Sequence, residues 1–205
     1  MPHDIPSAID LRLMEDASKW ASNAEQRPGR NAILDRLVEE AGRRAGPDPL
    51  ILELGSGPGF LAHRMLKEIP QARYTALDFS PAMHALARAR VKPFIDRITF
   101  LERSFKSDSW AEDLQPFDIV VTNQAVHELR HKRHAKALHQ QVHGLLTQEG
   151  SYLVSDHFSG DGGLPDTELF MSADEQSNAL SEAGFPSVTR IAAEGSLVLH
   201  LARKI

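Results

Sequence analysis

Two groups of residues in this chain have the types and spacing for chemistry. The first is Glu53-Leu54-Gly55-Ser56-Gly57-Pro58-Gly59, an acid followed by three glycines at every second position, behind the apolar run Leu50-Ile51-Leu52. A strand entering such a segment must turn sharply and hand over to a helix. Glycine admits the positive φ of the turn and removes the Cβ that would hold a ligand off the backbone. The following helix opens with unpaired N–H groups and the positive end of its dipole, so the segment reads as a cradle for a ligand lying against bare peptide. A second acid, Asp78, closes the next apolar run. It stands at the distance, about 20 residues on, where a carboxylate can accept from both hydroxyls of a ribose. The second group is histidine-rich: His127-Glu128-Leu129-Arg130-His131, with Asp156-His157 further on. An imidazole with a pKa near 6.5 suits a general base, which makes His127 and His157 the catalytic candidates. H-E-x-x-H on a helix would instead bring two imidazoles to one face for zinc, with the Glu as base of a peptidase. Here the motif falls at a predicted strand exit rather than within a helix. Glu149, Asp156 and His157 are the third ligands that could be proposed, so a zinc peptidase is the minor reading.

The glycine spacing separates two nucleotide-binding patterns. A dinucleotide fingerprint wants G-x-G-x-x-G/A, and its third place is here Phe60, where close helix–strand packing needs a small residue. The observed acid-x-G-x-G-x-G resembles motif I of the class I S-adenosylmethionine-dependent methyltransferases. The resemblance implies that Glu53, Gly55, Ser56, Gly57 and Gly59 sit against the amino-acid and ribose portions of S-adenosylmethionine, whose ammonium and sulfonium are cationic. It implies that Asp78 takes the ribose and that Phe79 lies near the adenine. Asn123 and Gln124, after the fourth strand, would run beside the transferable methyl. The family often places a Gly-Asp pair after its third strand, whose acid accepts from the adenine amino group. This chain has Arg103-Ser104-Phe105 there. Ser104, with Phe105 beside it, a backbone carbonyl or Asp108 could substitute. Some O-methyltransferases of the family hold a divalent metal with acids after the fourth and fifth strands; Asn123 and Asp156 occupy comparable places, and no metal is expected.

The elements that must position these residues follow in order. Residues 8–22 read as a helix ended by Arg27-Pro28-Gly29, and residues 31–45 as a second, capped by Asn31, with Ile33, Leu34, Leu37, Val38 and Ala41 at helical spacing. Strands are expected at 50–54, 72–77, 97–101, 117–122, 151–155, 187–193 and 197–202. Helices are expected at 59–69, from 81 to 90 behind Ser80-Pro81, at 131–146, and at 173–183 behind a Ser172/Glu175 capping box. His134, His139 and His143, with Arg130, Lys132, Arg133 and Lys136, read as a solvated polar face of the 131–146 helix. Residues 158–172 read as a loop that can reach over the site.

The family resemblance covers about residues 50–203. It implies an α/β, Rossmann-like sheet of seven mostly parallel strands with an antiparallel last strand, order 3-2-1-4-5-7-6. Helices cover both faces, and N-terminal helices precede the sheet. Residues 1–47 would form part of a substrate lid, with the first helix and its Trp20 the better candidate, and residues 48–205 the S-adenosylmethionine-binding domain.

Composition bounds the function. The 205 residues carry a net charge of −5 and no cysteine. That excludes disulfides and thiolate metal sites and suits a cytoplasmic chain. It also lacks the basic excess of general nucleic-acid binders. No apolar run approaches a membrane span of roughly 20 residues, and the N-terminus lacks the pattern of a signal peptide. The expectation is a monomer or homodimer that moves a methyl group from S-adenosylmethionine to an N or O atom of a small-molecule acceptor. The alternative is a non-catalytic cofactor- or partner-binding protein on the same fold.

Overall fold

The computed structural model describes residues 3–205. Seven strands form one sheet: β1 (Leu50–Leu54), β2 (Arg73–Asp78), β3 (Ile98–Glu102), β4 (Phe117–Asn123), β5 (Leu146–His157), β6 (Ser187–Glu194) and β7 (Leu197–Arg203). Their order is β3-β2-β1-β4-β5-β7-β6, as expected. β1 pairs in parallel with β2 and β4, whereas β7 runs antiparallel between β5 and β6. β1 and β4 are apolar nearly throughout and buried on both faces, as central parallel strands require. The order reverses between β1 and β4. The loops leaving their carboxyl ends therefore lie side by side at the switch point, where open α/β sheets bind ligands.

The helices are α1 (Met14–Ala24), α2 (Arg30–Gly42), α3 (Phe60–Glu68), α4 (Pro81–Arg90), α5 (Ala135–Leu145) and α6 (Ala173–Glu182). One face of the sheet packs Ile33, Leu34 and Leu37 of α2 and Leu61, Met65 and Leu66 of α3 against Ile51, Tyr74 and Ile119. The other packs Leu138 and Val142 of α5 and Leu180 of α6 against Leu52, Val120 and Tyr152. Local chemistry fixes several helix starts. Ser80 Oγ accepts from the Met83 N–H at 3.0 Å with Pro81 behind it. Ser172 and Glu175 form the expected capping box, with bonds of 3.1 and 2.7 Å.

β5 begins at Leu146 where residue 151 was expected, and three helix starts also differ from expectation. The first helix begins at Met14, because Asp10 turns the chain: its carbonyl accepts from the Leu13 N–H and its carboxylate from the Arg12 N–H, in competition with helix. α2 starts after Gly29 (φ 76°) rather than at an Asn31 cap. A Cβ at Gly29 would stand 2.8 Å from the Glu194 carbonyl, so only glycine lets the chain cross the β6–β7 turn there. The 131–146 helix is shortened by a 3-10 turn, Lys132–His134, and α5 begins at Ala135.

Residues 5–12 form a strap. Arg130 donates to the Ile5 and Pro6 carbonyls at 2.8 Å each, and the Ile5 N–H donates to the Arg130 carbonyl. Ser80 Oγ donates to the Leu11 carbonyl. α1 lies behind the strap, with Ala17 packed on Ala82 and Met83 of α4. Among the described residues no helix is long and apolar enough to cross a membrane.

Candidate functional site

The strap, the two N-terminal helices and the loops after β1, β2, β3 and β4 enclose a cavity of about 400 Å³, within the range of small-molecule sites. Glu53, Gly55, Ser56, Gly57, Asp78, Phe79, Ser104, Phe105, Asn123 and Gln124 all line it. The three glycines serve three ends. A Cβ at Gly55 would collide with Ala125 at 2.4 Å, so this glycine lets the β1 and β4 loops touch. Gly57 (φ 51°) has no atom within 4 Å of where its Cβ would stand and presents bare backbone. Gly59 faces Ala87 of α4 at 3.1 Å and does not line the cavity; its place is helix packing, not the ligand contact expected of it.

Asp78 is 5% exposed. One carboxylate oxygen accepts from the Gly57 N–H at 2.8 Å and the other from the Ser80 N–H at 2.9 Å. Burial raises its pKa and these N–H groups oppose the rise. Glu53 accepts from the buried Tyr74 hydroxyl at 2.8 Å. Burial pushes its carboxyl up to about 8, with the Tyr74 bond opposing and the Asp78 charge adding. Two more buried atoms of the cavity wall, Ser56 Oγ and Asn123 Oδ1, have no hydrogen-bond partner. Two buried carboxyl groups, an orphan hydroxyl, an orphan amide oxygen and open backbone at Gly57 fit a nucleoside joined to a zwitterionic amino acid, each polar end finding a partner. Of the substitutes for the missing adenine acid, Ser104 lines the cavity and Asp108 does not.

Residues 51–150 match a family model described as a methyltransferase domain. The match agrees with the resemblance of the glycine motif and of the sheet order to the class I S-adenosylmethionine-dependent methyltransferases. Over 100 residues it is 33% identical to the malonyl-[acyl-carrier protein] O-methyltransferase of Paenibacillus sp. (strain JDR-2), covering 47% of this chain and 36% of that protein. Over 126 residues it is 33% identical to the trans-aconitate 2-methyltransferase of Streptomyces avermitilis, covering 60% and 42%. The matched stretches thus span well under half the length of these curated relatives. Among solved structures, the Burkholderia thailandensis 1,6-didemethyltoxoflavin-N1-methyltransferase, with its acceptor and S-adenosylhomocysteine bound, superposes with a TM-score of 0.68 at 19% identity over 99% of this chain and 93% of that one. The CurJ carbon methyltransferase superposes with a TM-score of 0.76 at 15% identity over 96% and 61%. O-, N- and C-methylating proteins all appear among these, so the similarity leaves the acceptor atom open.

The two candidate bases part company. His127 lines the cavity; its Nδ1 meets Asp156 at 2.6 Å and its Nε2 lies 3.5 Å from Glu128. Burial opposes its charge, but the Asp156 and Glu128 carboxylates prevail and lift it to about 10. His157 does not line the cavity. Its Nε2 accepts from the Gln124 amide and its Nδ1 donates to Ser196 Oγ, each at 2.9 Å, while burial holds it near 4. Both of its nitrogens are thus engaged, and it stands behind Gln124 rather than facing the cavity.

The H-E-x-x-H segment is a 3-10 turn, Val126–Leu129, followed by Arg130 at φ 68°. Lacking helical spacing, the motif turns His127 to Asp156 and His131 to Glu168, 3.2 Å away. The polar-face reading of the histidines fails at His139, which is 1% exposed and packs on Tyr152. A single histidine inside an apolar stripe gave no sign of its orientation. Arg30 was missed altogether: it is 5% exposed, lines the cavity, and donates to the Gln124 side-chain oxygen. It falls between the break Arg27-Pro28-Gly29 and the helix expected from residue 31, and only the fold turns it to Gln124.

The buried groups set a pH optimum of stability. Burial holds His139 at about 3 and His157 and His200 at about 4. The unfolded chain protonates these three near 6.5 and the folded chain does not, so stability falls as pH drops from about 6.5. Glu53, raised to about 8, works the other way, its contribution being lost as pH rises from about 4.5. His127, raised to about 10, stabilises fully below 6.5 and loses that contribution as pH climbs. Between pH 4.5 and 6.5 the three histidines outweigh the raised carboxyls of Glu53 and Asp78, so stability rises with pH. Above that window both remaining groups lower stability. The melting temperature is expected to peak near pH 6–6.5; a plateau reaching down to pH 4.5 would contradict these burials.

Proposed function

We propose that this chain transfers a methyl group from S-adenosylmethionine to an N or O atom of a small-molecule acceptor by in-line displacement. The observation that carries the reading is the Asp78 carboxylate bonded at 2.8 Å to Gly57, both on the wall of one cavity of about 400 Å³. Asp78 holds the ribose hydroxyls, Glu53, Ser56 and Asn123 the amino-acid end, and Phe79, Ser104 and Phe105 flank the base. When bound, the donor supplies a methyl on a sulfonium whose leaving group is neutral, so much of the barrier is a matter of positioning.

His127 holds the acceptor. Clamped by Asp156 and close to Glu128, it carries its proton through neutral pH. Its role is therefore to donate from Nε2 to an acceptor oxygen that arrives already anionic, such as a carboxylate or phenolate, whose methylation needs no further proton loss, rather than to wait as a neutral base. His157 positions Gln124, whose left-handed backbone (φ 56°) keeps its amide between Arg30 and His157. The strap and α1 roof the cavity, which supports a small acceptor over a polymer.

Methyl-labelled S-adenosylmethionine offered with a panel of small phenols, hydroxy acids, carboxylates and amines should label at least one member. Binding of S-adenosylhomocysteine with no label in any acceptor would favour the non-catalytic alternative.

A further inference from the structure

We infer that Ser196, on the β6–β7 turn, is a positioning residue of the cavity: its hydroxyl fixes the tautomer of His157, and His157 in turn fixes the face that the Gln124 amide presents to Arg30. The inference takes the ligand's identity from the donor reading above, while the relay itself rests on hydrogen bonds alone. One placement of protons satisfies the whole chain. A guanidinium donates and never accepts, so the Gln124 atom that Arg30 meets is the amide oxygen. The amide nitrogen then points at His157 Nε2, 2.9 Å away, which must present its lone pair. Burial keeps the ring neutral at neutral pH. Its single proton is thereby placed on Nδ1, where Ser196 Oγ accepts it at 2.9 Å. The Ser196 carbonyl, which accepts from the Phe158 N–H at 3.0 Å, also favours a ring proton.

A neutral imidazole can carry its proton on either nitrogen, and the partner of one nitrogen decides which. Without the Ser196 hydroxyl the proton gains access to Nε2. Nε2–H would then face the amide nitrogen, donor against donor. Turning the amide over relieves that contact but sets its nitrogen against Arg30, again donor against donor. Gln124 has little freedom to move away: its backbone is left-handed (φ 56°) and its N–H donates to the Ser155 carbonyl at 2.8 Å. The same turn also reaches the Arg30 end. A Cβ at Gly29 would stand 2.8 Å from the Glu194 carbonyl, and one at Gly195 would stand 3.6 Å from the Pro28 carbonyl. The turn thus holds His157 by a hydrogen bond and the entry to α2 by contact. Arg30 and Gln124 line the cavity and Ser196 does not, so its influence on a ligand passes through the relay.

The test uses the full chain at neutral pH. Long-range proton–nitrogen correlation NMR on the isotope-labelled chain reads the tautomer, with the His157 signals identified by their loss in His157→Gln. The wild type should carry the proton on Nδ1, and Ser196→Ala should show a mixture of both tautomers. By calorimetry, Ser196→Ala should bind S-adenosylhomocysteine roughly 3- to 10-fold more weakly, the worth of one neutral hydrogen bond, and Ser196→Thr, which keeps the hydroxyl, should stay within about twofold of wild type. In a Gln124→Met background the same Ser196→Ala change should cost less than about twofold, because the amide that transmits it is gone. A merely structural role would weaken binding equally in both backgrounds. That equality, a wild-type proton on Nε2, an affinity untouched by Ser196→Ala, or a threonine variant as weak as the alanine one overturns the inference. Should Gln124→Met not fold, the tautomer and the threonine rescue decide. A wild type that binds no S-adenosylhomocysteine overturns the donor reading instead, and the tautomer in Ser196→Ala then decides the relay by itself.

Discussion

Asp78→Ala is expected to weaken binding of S-adenosylhomocysteine by roughly 10- to 100-fold, the loss of one or two charge-assisted hydrogen bonds. Two effects combine in that figure. The carboxylate that would accept from the ribose is removed, and so is the acceptor that holds the Gly57 and Ser80 N–H groups at 2.8 and 2.9 Å. Asp78→Asn separates them. The amide oxygen can still accept from one backbone N–H but carries no charge, so affinity should fall while the melting temperature stays closer to wild type than in the alanine variant. Titration calorimetry reads the first quantity and thermal denaturation the second. An affinity unchanged in both variants would remove Asp78 from the ligand site and leave it as a loop anchor.

The second large effect concerns the His127–Asp156 pair. His127→Asn should lower turnover by roughly 10²–10⁴-fold with S-adenosylhomocysteine affinity nearly unchanged, since the imidazole lies on the acceptor side. Asp156→Asn tests how the charge is held. In the wild type the pair keeps His127 protonated up to about 10, so turnover should not fall with a midpoint near pH 6.5. Without the carboxylate only Glu128 is left to oppose burial, and the proton leaves at lower pH. Activity of Asp156→Asn should then decline at lower pH than that of the wild type. Identical pH profiles in the two proteins, or a wild type that gains activity by losing a proton near 6.5, would return His127 to the role of a neutral base.

How far the sequence carried these readings depends on the range of the interaction. The order of the sheet, the cradle at Gly55–Gly57 and the acid at Asp78 were legible because each rests on chemistry local to a strand exit. The spacing of one acid and three glycines needs no knowledge of distant neighbours. Helix caps were legible where the cap lies in sequence, as at Ser80 and Ser172, and missed where it does not. Gly29 begins α2 because Glu194, far along the chain, approaches it. The histidines show the same division. His127 lies just after β4 and lines the cavity, but its protonation depends on Asp156, 29 residues away. His157 ends β5, yet Gln124 screens it from the cavity. Arg30 could not be seen at all, because what distinguishes it from a surface arginine is its burial against Trp20, Phe60 and Gln124, which only the fold brings together.

The most direct measurement is a crystal structure of the full chain grown with S-adenosylhomocysteine. The expected density fills the cavity between the β1 and β4 loops. The ribose hydroxyls should lie within hydrogen-bonding distance of Asp78, the amino-acid end against Gly55–Gly57 and Asn123, and the sulfur should be directed toward the His127 side. A ligand bound elsewhere, or a nucleoside in this cavity with its ribose away from Asp78, would contradict the account.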